Sequence, residues 1–363
     1  MTSRTLMFST EFHQIPLDSF RELPPELWSE EFFRANESMN AFVFRLSLEV
    51  VDAVGSEAAG IQPDRTSAWR WLLRQAARAR DSSLSSDELR RSILSENPSL
   101  APALDLSDAA RKGYPDFLRG IRDGNSILFD PLHPSLWERY FHNQNPLCRA
   151  GNVLATHAAS QAALRFPPRR MLRVLEVGTG LGSAAKALLE GLGSSIASYV
   201  ATDISPGFLR KARERIEACR AGSPGELGFQ LLDLNRPRSW PVRGKSFDLI
   251  YAVNVLHAVY DLQETLSGLK GLLGKEGILI LGECIRPARG HPVHPEFVFQ
   301  LLDEFRIVRL DPETRPEPGF LDASSWRASL LKAGFASVQF FPDFEAAVQA
   351  YPEHSLGAMV AKP

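Results

Sequence analysis

Three glycines at spacing two, Gly178, Gly180 and Gly182, follow a short apolar run containing Glu176, and a carboxylate, Asp203, comes 21 residues after the last of them. Glycine at such positions permits positive φ and lets the backbone come close to a ligand. A second apolar run, Tyr199-Val-Ala-Thr-Asp203, ends in a carboxylate placed to take both hydroxyls of a ribose. The chemistry in prospect is the binding of a nucleoside-bearing cofactor. The G-x-G-x-G spacing departs from the G-x-G-x-x-G turn that brings a pyrophosphate to a helix N-terminus. Glu176, just before the turn, is a poor neighbour for phosphates but suits a sulfonium cofactor that carries an ammonium group. Asp233, in Leu231-Leu-Asp-Leu-Asn235, is placed for an adenine amino group, although alone it also reads as a turn residue. Together these residues point to S-adenosylmethionine (SAM).

A second set could act on a methyl acceptor. The run Phe247–Val253 is followed by Asn254-Val-Leu-His257, and the run Ile278–Gly282 ends in Glu283. If both runs are parallel strands, their carboxyl ends share an edge, and His257 can meet Glu283 beside the cofactor's methyl group, with Asn254 between base and cofactor. A carbon or hydroxyl acceptor must lose a proton near the transition state, and imidazole is the natural base at neutral pH. A carboxylate behind it fixes the tautomer and favours the imidazolium. Taken singly, His257 is also an ordinary helix-start residue, and Glu283 could equally pair with Arg286 or Arg289.

The elements that must position these groups follow from periodicity. From Met171 onward strand and helix patterns alternate, as in an α/β domain with a parallel sheet. Strands are expected at 172–177, 198–203, 227–232, 247–253 and 277–283, with two closing strands at 337–341 and 356–361. Ser205-Pro206 starts a helix that turns Leu209, Ala212 and Ile216 inward and Arg210, Lys211, Arg213 and Arg215 to solvent. Residues 284–322 form an insertion with an amphipathic helix through Phe297, Leu301 and Phe305, and 324–334 is a further helix. The first 150 residues read as mainly helical. An apolar stripe runs between Pro25 and Val54, a second helix lies near 67–79, and a third begins at the capping-box spacing of Ser85-Ser-Asp-Glu88. Pro98, Pro102 and Pro115 are expected to break the next stretch into short pieces, before a helix at 152–165 crosses to the second domain. Trp69, Trp71 and the other early aromatics read as core, and Trp137–Phe141 as packing near the second domain.

On these residues the chain resembles the class I SAM-dependent methyltransferases over roughly residues 150–363. That resemblance implies a Rossmann-like α/β sheet of seven strands with a reversed final hairpin, under a mainly helical N-terminal cap domain. It also implies that the glycine turn wraps the methionine end of SAM, that Asp203 holds the ribose, and that Asp233 and Leu234 bracket the adenine. Within the family, Asn254-Val-Leu-His-Ala, Asp261-Leu-x-x-Thr-Leu266 and Leu281-x-Glu283 are similar to the C-methyltransferase domains of polyketide synthases. So are Arg315-Pro-x-x-Gly-Phe-Leu321, Trp326-x-x-x-Leu-x-x-Ala-Gly-Phe335 and Phe341-Pro-Asp343 in the tail. In those domains the matching histidine and glutamate form a dyad that enolises a β-ketoacyl thioester. The implied activity is therefore C-methylation of a small-molecule or acyl-carrier-protein-bound intermediate. An O-methyltransferase using the same histidine is the alternative, because acceptor identity stays open. The turn reads Gly178-Thr-Gly-Leu-Gly-Ser183 where those domains usually have G-A-G-T-G-G, and no ketosynthase, acyltransferase or carrier pattern is present, so action alone or in trans is expected.

Composition narrows the field without naming a substrate. With 363 residues, 23% charged and 44% hydrophobic, the chain is of ordinary globular type and long enough for two domains, expected at 1–150 and 151–363. A formal charge of −2 gives no electrostatic case for nucleic acid or an anionic membrane as partner. No run of about 18 apolar residues and no leader-like start occurs, so a cytoplasmic location is expected. The three cysteines lack any C-x-x-C, and His291 and His294 flank Pro292 without further ligands, so no metal site is expected and that stretch reads as a surface loop. His133, His142 and His157 could reach the mouth of the site. A nicotinamide-linked oxidoreductase is disfavoured by the glycine spacing, and a non-catalytic scaffold by the presence of both cofactor set and dyad.

Overall fold

The computed structural model describes residues 29–363 except 56–59, 80–83, 131, 134, 220–224, 243 and 245. Pro25, Trp28 and the start of the chain lie outside them. The described chain begins with α1 (Glu30–Val54), capped by the Ser29 side chain, which accepts from the Phe32 N–H. Met39, Phe42, Val43, Leu46 and Val50 form its buried face. The two asparagines of the stripe are buried as well: Asn36 Nδ2 donates to Phe32 O (3.0 Å) and Asn40 Nδ2 to Glu353 Oε2 (3.0 Å). Next come α2 (Thr66–Ala79) and α3 (Ser86–Glu96), the latter opened by the expected Ser85–Glu88 capping box. Pro98 does interrupt the chain, opening a single tight turn over 98–100 after α3, but Pro102 and Pro115 do not, because α4 runs unbroken over Ala101–Leu118. Pro102 sits in its first turn, where a missing N–H costs nothing, and Pro115 falls near its end, where one lost bond is tolerated. Two short helices, α5 (Gly124–Leu128) and α6 (Ser135–Tyr140), lead to α7 (Pro146–Ala163). The small residues Ala155, Ala158, Ala159 and Ala162 let α7 lie close on the sheet: a Cβ on Gly282 would come within 2.7 Å of the Ala155 Cβ.

The sheet has seven strands in the order β3-β2-β1-β4-β5-β7-β6. Its strands and the helices between them are β1 (Leu172–Val177), α8 (Ser183–Leu192), β2 (Ile196–Asp203), α9 (Pro206–Ala218), β3 (Glu226–Leu231), β4 (Phe247–Val253), α10 (Leu262–Lys270) and β5 (Leu273–Cys284). After the insertion, which carries α11 (Glu296–Phe299) and α12 (Asp303–Arg306), come α13 (Ala323–Lys332), β6 (Ser337–Phe341), α14 (Phe344–Ala350) and β7 (Leu356–Lys362). The first five strands are mutually parallel and β7 is antiparallel to both neighbours, the reversed hairpin expected. Strand β4 is apolar and buried along nearly its whole length, as a central parallel strand covered on both faces must be. Strand order reverses between β1 and β4, and the crevice at that switch point is where an open α/β sheet takes a ligand.

The insertion departs from expectation. Instead of one amphipathic helix, α11 and α12 are separated at Leu302, whose backbone is extended. The break divides the apolar residues between two cores. Phe297, Val298 and Leu301 join the core of α1–α4, whereas Phe299 and Phe305 pack with Phe320 and Cys284. A continuous helix would have put 297, 301 and 305 on one face. Polar contacts tie the same segment to the helical layer: Trp71 Nε1 donates to the buried Glu296 Oε2 (2.7 Å), and Arg286 Nε to its Oε1 (2.9 Å). No helix among the described residues is long and apolar enough to cross a membrane.

Candidate active site

A cavity of about 350 Å³ opens at the switch point, beside the carboxyl ends of β1, β2, β4 and β5. Its floor is the glycine turn. Gly178 has φ +66°, and a Cβ there would lie 2.3 Å from Val255 Cγ2. Gly180 has φ +52° and nothing within 4 Å of where its Cβ would stand, so it leaves bare backbone facing open space. Asp203 fixes this turn. Its Oδ2 accepts from the Gly180 N–H (2.8 Å) and its Oδ1 from the Ser205 N–H (2.8 Å). The carboxyl is only 6% exposed, and burial raises its pKa while the two N–H donors oppose the rise. Gly178, Gly180, Asp203 and Asn254 therefore line the cavity, and the exposed Ile204 lies beside them, unsignalled by the sequence. A bare-backbone approach with a carboxylate at its side fits a nucleoside cofactor such as SAM.

Four other expected cofactor residues are not on the cavity wall. Gly182 caps α8 and packs on Ala212 of α9. Asp233 is turned to its own loop, accepting from the Asn235 N–H (2.9 Å) and standing 3.3 Å from Arg236 Nε. Leu234 is buried in the core beneath α10. Glu176 is 1% exposed and accepts from the Tyr199 hydroxyl (2.8 Å). Arg215, expected at the solvent face of α9, folds back instead, because Leu181 O (2.8 Å) and Ser183 Oγ (3.0 Å) need a donor behind the turn.

Burial pushes the Glu176 carboxyl up to about 7, against an ordinary value of 4.5. A group raised in the folded state favours folding below its unfolded pKa, and that contribution is lost as pH rises towards the folded pKa. Stability from this group therefore falls between about pH 4.5 and 7. Glu176→Gln is expected to gain stability relative to the parent across that window, read by urea unfolding of the cofactor-free chain. A constant difference between the two proteins from pH 5 to 7 would contradict the assignment.

The register of β4 on β5 pairs Val253 with Gly282, and the Asn254 N–H continues it onto Gly282 O (2.7 Å). That register puts Glu283 under the turn that follows β4. Its Oε1 accepts from the N–H groups of Val255 (3.2 Å) and Leu256 (2.9 Å), and its Oε2 lies 2.8 Å from His257 Nδ1. Both side chains are buried, 3% exposed for His257 and 0% for Glu283, and both line the cavity. Arg286 takes no part: it pairs with Glu296 and Glu317. Around the imidazole stand Phe320, Phe305 and Phe299, with ring centroids at 4.7, 5.7 and 5.8 Å. Trp137, Tyr140 and Phe141 extend this apolar wall from the helical layer.

The remaining histidines separate. His294 is not on a surface loop; it is 7% exposed, lines the cavity, and burial drives its pKa down to about 3, which keeps it neutral. His291 lies 3.1 Å from Glu353. His133 and His142 stand off the cavity wall, and His157 lines a separate groove with Arg327 and Phe340. Among the described residues no group of three or more His, Cys, Asp or Glu is arranged to hold a metal ion.

Residues 175–279, which hold the turn, Asp203 and His257, match the model of a family described as a methyltransferase domain. The chain is a class I SAM-dependent methyltransferase. Over 262 residues, 71% of its length, this methyltransferase is 32% identical to the non-reducing polyketide synthase dpmpA of Macrophomina phaseolina (strain MS6). It spans about a tenth of the length of the curated relatives it matches, 11% for dpmpA. Its fold is similar to that of the CurJ carbon methyltransferase, with a TM-score of 0.78 at 24% identity over 95% of this chain and 98% of that one. It is also similar in fold to the trans-methyltransferase CalH, solved as a complex with SAH, with a TM-score of 0.66 at 21% identity over 90% and 91% of the two chains. SAM is its cofactor.

Proposed function

We propose that this methyltransferase methylates an activated carbon of a polyketide-type acyl thioester, with His257 removing the proton and Glu283 orienting His257. The observation that carries the reading is the 2.8 Å Nδ1–Oε2 pair on the wall of the cavity that Gly180 and Asp203 also line. An α-carbon between two carbonyls is no nucleophile until it loses a proton, so a base at this wall has a task. Glu283 Oε1 is taken by two backbone N–H groups, and Oε2 accepts Nδ1–H, so Nε2 keeps the lone pair that can take a proton. SAM, when bound, supplies an electrophilic methyl group on a sulfonium. The turn at Gly178–Gly180 and Asp203 would hold it, and Asn254, which lines the same cavity, would lie between that turn and His257.

The substrate class rests on the names of the relatives and on the walls. Phe299, Phe305, Phe320 and Trp137 make a surface suited to an acyl chain and unsuited to water. In this reading residues up to about 150 act as a cap, bringing Trp137 and Phe141 over the carboxyl edge of the sheet, and the remainder from 151 carries the cofactor. The substrate arrives as a small thioester or on a carrier protein. Mass spectrometry of the purified chain with SAM and a panel of β-ketoacyl thioesters, phenols and amines tests this. One added methyl on the thioesters alone is expected. A methylated phenol would instead make His257 the base of an O-methyltransferase, and a methylated amine would overturn both roles.

A further inference from the structure

His257 lies in a turn, 256–261, whose backbone carbonyls are not satisfied by the sheet. Buried carbonyls without donors are costly, so something else must hold them. The insertion does. Its residues 309–315 wrap the turn: Arg315 donates from Nη1 to Val259 O (2.7 Å) and from Nη2 to His257 O, and the Arg309 N–H donates to Tyr260 O (2.8 Å). Arg315 is 1% exposed. Its backbone is fixed in turn by a reciprocal pair with Asp311 (2.8 and 2.9 Å), and Thr314 O accepts from Ser329 Oγ of α13 (3.1 Å). Among the described residues no carboxylate lies within 4 Å of the Arg315 guanidinium, so a buried cation is held by carbonyl oxygens alone. Burying a charge in that way is expensive, and a neutral donor would satisfy a carbonyl more cheaply.

We infer that Arg315 is a positioning residue for the His257–Glu283 pair, its fork clamping the turn that carries His257. This rests on the dyad reading. The titratable and charged groups around His257 and its turn are Glu283 from β5, Arg315, Arg309 and His294 from the insertion, Asp261 at the start of α10, and Glu304 and Cys284 on the cavity wall. Arg309 is exposed and paired with Asp261 (2.6 Å), so Arg315 is the buried cation of this set. Loss of a buried cation beside a base is expected to move the acid limb of the rate to higher pH. Lysine keeps the charge but cannot span two carbonyls as a planar fork does.

The test is the pH–kcat profile of Arg315→Met, Arg315→Gln and Arg315→Lys in the full chain, with SAM affinity by calorimetry and His257→Ala as the control. Arg315→Met is expected to lose roughly 10-fold to 10²-fold in kcat, the scale of a misplaced group, with SAM affinity within about twofold of the parent. Its acid limb should rise, and that of Arg315→Lys should stay in place while kcat recovers only in part. If Arg315→Met does not fold, Arg315→Gln carries the same limb prediction, and if neither neutral variant folds, Arg315→Lys decides by itself. In the neutral variants, a parental kcat or a loss of rate with the limb unmoved overturns the inference, as does a parental kcat in Arg315→Lys. If His257→Ala is itself fully active, the dyad reading fails first, and the two failures are told apart.

Discussion

Replacing His257 by alanine is expected to lower turnover by roughly 10²-fold or more and to leave SAM affinity nearly unchanged. General base catalysis is worth about that factor, and the imidazole bonds to Glu283 rather than to the glycine turn or Asp203. Glu283→Gln should fall less far, because an amide oxygen can still accept Nδ1–H. It should also move the acid limb of the rate to lower pH: without the carboxylate the imidazolium loses its counter-charge and gives way to the neutral base more readily. Initial rates across pH 5–9 for both variants check this. If both methylate at the parental rate, proximity to an already nucleophilic acceptor explains the reaction, and a base is not needed.

Asp203→Ala is expected to abolish measurable SAM binding by calorimetry. On the proposed assignment Asp203 would take both ribose hydroxyls, and two such charge-assisted hydrogen bonds are worth at least about 3 kcal/mol together, or roughly 10²-fold in affinity. The geometry adds a second loss, because the same carboxylate holds the Gly180 and Ser205 N–H groups. Asp203 is thus no detached surface contact, and the variant should also unfold a few degrees earlier than the parent, on the scale of about 1 kcal/mol. Parental affinity in this variant would remove Asp203 from the cofactor site.

Much of the sheet is legible because its strands are short apolar runs bounded by turn residues, and burial on both faces demands that pattern. All seven expected strands are present, with β2 and β5 starting a few residues earlier than expected. The meeting of His257 and Glu283 is legible for a related reason: parallel neighbours share an edge, and register does the rest. The features that escape the sequence depend on partners far along the chain. Pro115 reads as a breaker until its place near the end of a long helix is known. Arg215 reads as a solvated face residue until its 34-residue reach to Leu181 O appears. His294 looks like a loop residue because no periodicity marks a buried loop. Arg315 stands out only as part of a tail motif, and nothing local shows that its donors end on a turn 56 to 58 residues away. The Asp233 carboxylate accepts from the Asn235 N–H of its own loop, a local contact that its place after a strand does not signal.

In the proposed mechanism, transfer of a proton from carbon to His257 is the central step, and exchange of that proton can be followed without any methyl transfer. A β-ketoacyl thioester in deuterium oxide, incubated with the methyltransferase and S-adenosylhomocysteine, is monitored by NMR at its α-protons. Exchange well above the buffer rate is predicted for the parent chain, falling to the buffer rate in His257→Ala. Equal exchange in the two proteins, or none above buffer in either, would contradict His257 as the base.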